Sequence, residues 1–338
     1  MRQPKQKSFQ DYLFQRIKEA LPPGKTLADV VGDVLHLSPD SAYRRIRGEK
    51  LLVLDEAHEL CRHFNISIDG LFNLKEDAVI FHRTEIDATT YDFTTYLKGI
   101  FHLLQQLDSY SKKSIIYLTK GIPLFHILAF RPLLAFRYYF WMRTTFEVPE
   151  ILQQKFSLQT LPAATEAIAK NIHLLYNRLP SVEIWSAESI NSTLMQIDYC
   201  CETGLMTAEQ VHEVMDSLEK MLNHLQKQAE WGCKFSPTDD PSSRKDNFQL
   251  FYNRLNLGND IILTTHDGNK TLYVNNDALD YLTCHDEVYC NKVYEKLETV
   301  RRRSTLISSV GEKQRTQFFN RLYAKLPLQE SATKKQKI

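Results

Sequence analysis

Glycine and proline are scarce, 11 and 12 among 338 residues. Long stretches therefore run without the usual chain breakers, which favours helices. Cysteine is scarce as well. The six thiols are Cys61, Cys200, Cys201, Cys233, Cys284 and Cys290, and no pair forms C-x-x-C. A chain of this length with so few thiols predicts reduced cysteines in the cytosol rather than a disulfide framework. There is no run of about 18 uncharged apolar residues. The greasiest stretch, Ile122 to Met142, is interrupted by Arg131, Pro132 and Arg137, so no membrane partner is expected. The basic residues near the start are followed by no apolar run, so a cytoplasmic rather than a secreted protein is expected. Catalytic signatures are missing too: no G-x-G-x-x-G, P-loop, H-E-x-x-H or G-x-S-x-G stands in the chain. The expectation is a protein that is not an enzyme, with no catalytic residue, cofactor or metal assigned.

What is present is ordinary globular composition, 43% hydrophobic and 25% charged, enough for two or three domains. The net charge of +1 favours no class of partner, but the charge is unevenly placed. Residues 1–74 carry 11 Lys/Arg against 10 Asp/Glu, residues 75–295 carry 20 against 28, and residues 296–338 carry 11 against 3. An acidic middle thus separates a neutral head from a basic tail.

Apolar periodicity predicts helices near 8–20, 26–35, 39–47, 54–64 and 67–72. Others follow near 88–110, 131–147, 163–179, 186–203, 207–230, 247–256, 286–300 and 312–326. Ser38 before Pro39 is an N-cap followed by proline at the first helical position. The sequences from Ser186 and from Thr207 each place a capping residue before early acidic residues. Only two places read as extended: a short run from Ser114, and two β-prone runs at 260–265 and 270–275 around Asp267-Gly268, a hairpin signal. The expected fold is mainly α: a small N-terminal helix-turn-helix bundle over 8–74, a large helical domain over 80–326 with one short β-hairpin, and a disordered tail over 327–338.

The densest signal lies in residues 26–50, TLADVVGDVLHLSPDSAYRRIRGEK. Leu27, Val30, Val31 and Val34 form one apolar stripe. A short turn over Leu35-His36-Leu37 follows, Ser38 caps the next helix, and Gly48 closes it. On that second helix Ala42, Ile46 and Tyr43 are expected inward, and Pro39, Asp40, Ser41, Arg44, Arg45 and Arg47 outward. A helix of this kind fits the major groove of double-stranded DNA, where its N-terminal residues reach base edges. Asp40, Ser41 and Arg44 are the expected base contacts, because arginine pairs with guanine and an acid accepts from cytosine. Asp40 equally suits the helix N-terminus. Arg45, Arg47 and Lys50, nearer the helix end, are the expected backbone contacts.

These residues, with LDEAHELCRHFNISIDGLF after them, resemble the phage-repressor/Cro-type (XRE) helix-turn-helix family. The likeness rests on the "LA" helix, the serine that opens the next helix, the Arg-Gly exit, and the close over Ile66-Ser67-Ile68-Asp69-Gly70-Leu71. It covers about one fifth of the chain. The turn at Leu35-His36-Leu37 and Ile46, where many members carry glutamate, depart from the pattern. The resemblance implies a sequence-specific transcription regulator that binds DNA as a homodimer.

The region beyond residue 80 then reads as a dimerisation or sensing domain. Residues 122–146 are rich in aromatics. They read either as core or as the lining of an apolar pocket for a small-molecule effector, with His126, Arg131, Arg137 and Trp141 as its candidate residues. Arg301, Arg302 and Arg303 read as a solvated basic face or as contacts to a DNA backbone. Cys284, His285 and Cys290 have no standard zinc spacing and read as buried thiols. A helical protein–protein adaptor, or a helical enzyme with a DNA-binding head, are the alternatives.

Overall fold

In a computed structural model of the chain, the residues described are 8–21, 25–68, 71, 79–83, 92–243, 246–255, 258–277 and 279–326. The short helix expected at 67–72 lies partly outside them, and the tail at 327–338 wholly so. The chain divides into two compact units, Met1–Ile80 and Phe81–Ile338.

Among the described residues the first unit has four short helices: α1 (Phe9–Glu19), α2 (Leu27–Leu35), α3 (Pro39–Ile46) and α4 (Leu54–His63). Each start has a local cause. Ser8 and Asp11 form a reciprocal capping box on α1, Thr26 caps α2, and Ser38 caps α3 with Pro39 at its first position. Such caps satisfy amide groups that a helix start leaves unpaired. None of these helices is long enough to be stable alone, so the shared core decides. Leu13, Phe14, Ile17, Val31, Ala42, Ala57 and Leu60 meet there, all essentially buried. α2 ends at His36, which adopts the left-handed conformation at φ 53°, and the Leu37 amide donates back to the Gly32 carbonyl at 2.9 Å. A Cβ on Gly32 would stand 3.2 Å from the Leu37 oxygen, so the exit of α2 is closely packed there.

The second unit corrects the expected fold class. It is not a helical domain with one short hairpin: its centre is a seven-stranded mixed sheet, inside a chain that remains mainly helical. The strands are β1 (Lys113–Leu118), β2 (Ser181–Trp185), β3 (Phe248–Tyr252), β4 (Ile261–His266), β5 (Asn269–Asp277), β6 (Asp280–Cys284) and β7 (Thr305–Leu306), in the order β6-β5-β4-β1-β2-β3-β7. β1, β2 and β3 run parallel, and the remaining pairs are antiparallel. The segment 247–256, expected as a helix, contains β3. The strand β2 lies in a stretch expected to connect two helices. The hairpin around Asp267 and Gly268 does form, with both residues at positive φ and His266 paired to Asn269. It is only part of the sheet.

Among the described residues the longer helices of this unit are α5 (Phe93–Ser109), α6 (Arg131–Thr144), α7 (Ala163–Arg178), α8 (Asn191–Glu202), α9 (Ala208–Trp231), α10 (Glu287–Arg302) and α11 (Glu312–Tyr323). Successive strand residues face opposite sides, and the two sides bury different partners. Ile115, Tyr117, Trp185, Phe248 and Leu250 join the large core with α5, α6, α7, α9 and α11. Ile116, Leu118, Ile184, Phe251 and Leu263 join a smaller core closed by Leu297 of α10. The aromatic stretch at 122–146 goes largely into the large core, where Phe136 and Tyr139 are fully buried. Gly232 ends α9 at φ +65°, and a Cβ there would strike the Ser309 hydroxyl. Among the described residues no helix is long and apolar enough to cross a membrane.

Candidate nucleic-acid interface

α2 and α3 are joined by a turn of three residues, His36 to Ser38, and pack on each other through Val31 and Ala42. Which way α3 faces follows from its helical period. With Ala42 fully buried, Arg45 and Ile46, three and four residues on, fall on the inner side. Asp40, Tyr43, Arg44 and Arg47 then share the outer side. Tyr43 is 47% exposed, while the side chains of Arg44 and Arg47 are 56% and 60% exposed. Asp40 and Lys50 are exposed as well.

Arg45 is the exception among the arginines. It is 4% exposed and forks onto Glu56 of α4, with Nε donating to Oε2 at 2.9 Å and Nη2 to Oε1 at 2.5 Å. Its Nη1 donates to the Ser41 carbonyl at 3.2 Å. The expectation of an outward Arg45 is thus corrected: its donors are turned into the bundle, and Tyr43, expected inward, is outside. The Glu56 hydrogen bond holds the guanidinium above its ordinary range against the opposing effect of burial. The same bond, against burial, holds the Glu56 carboxyl below its usual range. Glu56 also accepts from the Val53 amide at 3.3 Å, so one carboxylate both closes the start of α4 and fixes α3.

Gln10 of α1 supplies a second clamp. Its amide nitrogen donates to the Arg45 carbonyl at 2.5 Å and to the Lys50 carbonyl at 2.9 Å. Its oxygen accepts from the Leu52 amide at 2.8 Å. A buried side chain therefore satisfies three backbone groups at the exit of α3. α3 is held from two sides, and its outer stripe is left open. Ser41 is half-buried, and its hydroxyl accepts from Ser38 at 3.1 Å. Arg44 and Arg47 both approach Glu49, at 3.8 and 3.3 Å. These exposed pairs are weak and open readily to a stronger anion.

The residues proposed for an effector pocket in the second unit take separate partners. Arg131 is exposed and pairs with Glu166 at 3.3 Å. Arg137 is buried on α6, donating to Gln196 at 2.8 Å and Thr193 at 3.0 Å, and lies 5.0 Å over the Trp141 ring. Its surroundings supply no carboxylate among these contacts, and burial lowers it to about 10. His126, on the helical turn Leu124–Ile127, meets Glu183 of β2 at 2.9 Å. Arg137 and Trp141 are thus brought together; His126 and Arg131 belong to other groups.

Glu183 is the centre of a polar cluster inside the large core. It is fully buried and accepts from the Tyr176 hydroxyl at 2.6 Å and from the Trp185 indole at 2.8 Å. Burial works to raise its carboxyl, but the charge and hydrogen bond of His126, with Tyr176 and Lys234, hold it below the usual range. Lys234 donates to Ser181 at 2.7 Å and lies 3.8 Å over the Tyr176 ring. Burial, only partly offset by Glu183, lowers its ammonium to about 7. His173 and His224 are pushed down to about 4, mainly by burial. Glu183, His126, Tyr176, Lys234 and His173 are enclosed, with His224 half-buried beside them, which suits fixing the core rather than meeting a substrate. Among the described residues no group of three or more His, Cys, Asp or Glu is placed to hold a metal ion.

Among known proteins, no family model matches the chain, and neither does any curated protein or solved structure.

Proposed function

We propose that the chain is a sequence-specific regulator of transcription that binds double-stranded DNA as a homodimer in the cytoplasm. The first unit is its DNA-binding head of the phage-repressor/Cro type, and the second unit is its dimerisation body. One observation carries the reading. α3 is capped and clamped from behind, by Arg45–Glu56 and by Gln10, and presents Asp40, Tyr43, Arg44 and Arg47 along its outer side. A rigid helix with that stripe suits the major groove. Arg44 and Asp40 read bases, while Arg47 and Lys50 sit near the helix end and take phosphates. Arg45 is left out of the contact set because Glu56 holds it. Ser41 contributes through the start of α3 rather than as a free reader.

Selection of the full chain on a pool of random duplexes, followed by footprinting on the winning sequence, tests this. The reading expects one enriched sequence made of two half-sites about one helical turn apart, and nanomolar binding that falls steeply with salt. Recovery of no enriched sequence overturns it.

A further inference from the structure

The outer stripe of α3 carries one residue whose chemistry differs from the rest. Asp40, Arg44 and Arg47 are charged, while Tyr43 offers an aromatic face. It stands 47% exposed although its neighbour Ala42 is fully buried in the bundle core. On the inner side Arg45 pairs with its carboxylate partner Glu56. The Arg47 guanidinium lies 6.0 Å from the ring centroid, so both side chains lie on the same stripe. An exposed tyrosine at the middle of a charged stripe gains little from water. It gains from an apolar group on whatever the stripe touches.

In the major groove that group is the C5-methyl of thymine, which stands beside the hydrogen-bonding edges that arginine and aspartate read. We infer that Tyr43 is a specificity-determining residue, whose ring packs against a thymine methyl in the preferred DNA sequence. This rests on the reading of α3 as the DNA-reading helix. The contact uses the ring and not the hydroxyl, so phenylalanine serves equally. Burial of one methyl corresponds to about fourfold in affinity.

The test starts from the duplex that the full chain selects from a random pool. Each thymine is then replaced in turn by uracil, which removes the methyl and leaves every hydrogen-bonding group. Wild-type protein is expected to lose about fourfold in affinity at one position of each half-site. Tyr43→Phe keeps that loss. Tyr43→Ala binds the thymine and uracil duplexes alike, with an unchanged melting curve because the side chain is exposed. Should the alanine variant melt early, Tyr43→Gln is read in the same way. An equal uracil penalty in wild type and in Tyr43→Ala overturns the inference, as does no penalty at any position. Failure to enrich any duplex overturns it at the earlier step, together with the DNA-binding reading, and is told apart by that.

Discussion

Removing Glu56 is the sharpest perturbation the first unit offers. Its carboxylate takes two charge-assisted bonds from Arg45, at 2.5 and 2.9 Å, and one from the Val53 amide. Glu56→Ala leaves a guanidinium that is 4% exposed with only the Ser41 carbonyl among these partners. Stranding a buried charge in this way costs about 3–5 kcal/mol, and the lost cap adds to it. A small helical unit holds little more than about 5 kcal/mol in all. Two units in one chain do not melt as a single transition, so the readout is amide hydrogen exchange in the intact protein. Amides of α2 and α4 around Val31 and Leu60 are expected to exchange roughly 10²-fold faster or more, while those of β1 and β2 keep their rates. The double variant Arg45→Met/Glu56→Leu removes both charges together and is expected to recover most of the loss. A change of less than about 1 kcal/mol in Glu56→Ala, the level of an exposed pair, would refute the placement of Arg45 inside the bundle.

Other consequences follow from the same contacts. Arg47→Ala is expected to reduce the salt slope of DNA binding by about one, whereas Arg45→Ala, measured on the folded fraction, leaves it unchanged. His173 and His224 sit at about 4 in the folded chain, below the ordinary value of about 6.5. Between those values the unfolded chain binds protons that the folded one refuses. Stability of the second unit is therefore expected to fall as pH drops from about 6.5 to about 4, by about 3 kcal/mol for each histidine. Urea midpoints across that range check it, and His173→Asn should flatten the profile. Gly232→Ala must tolerate φ +65° and a Cβ that meets Ser309, so a loss of at least about 1 kcal/mol is expected in urea unfolding.

The helices were legible because their signals are local. The Ser38 and Thr207 caps and the apolar stripe of α2 all lie within a few turns of sequence, whereas the cap expected at Ser186 does not form, because α8 begins at Asn191 without a side-chain cap. The sheet was hidden for the opposite reason. β2 and β3 are five residues each, and Ser181 pairs with Ile115 on one side and Phe248 on the other. Strands buried on both faces show no clean polar alternation, so SVEIW and FQLFY carry no period that separates them from a helix turn. The β4–β5 hairpin was legible because Asp267-Gly268 marks its turn. On α3 the positions were legible but the facing was not. Polarity puts arginine outside and tyrosine inside, while the 100° step from Ala42 puts Arg45 inside. Geometry prevails because Glu56, eleven residues further on, supplies the partner. Glu56 itself gave a visible signal, an acid early in a helix, but nothing local told that its second partner was Arg45. Gln10 and Glu183 gave no local sign, since their partners come from distant segments.

The central claim is that the outer side of α3 reads DNA sequence, and Arg44 tests it most directly. Affinities of wild type and Arg44→Ala for the selected duplex and for a scrambled one, measured by fluorescence anisotropy over a range of salt, decide it. The account predicts that wild type prefers the selected duplex by about 10³-fold or more, and that Arg44→Ala loses roughly 5- to 150-fold of that preference while binding the scrambled duplex nearly as before. Equal affinity of wild type for both duplexes, or an unchanged preference in Arg44→Ala, would contradict it.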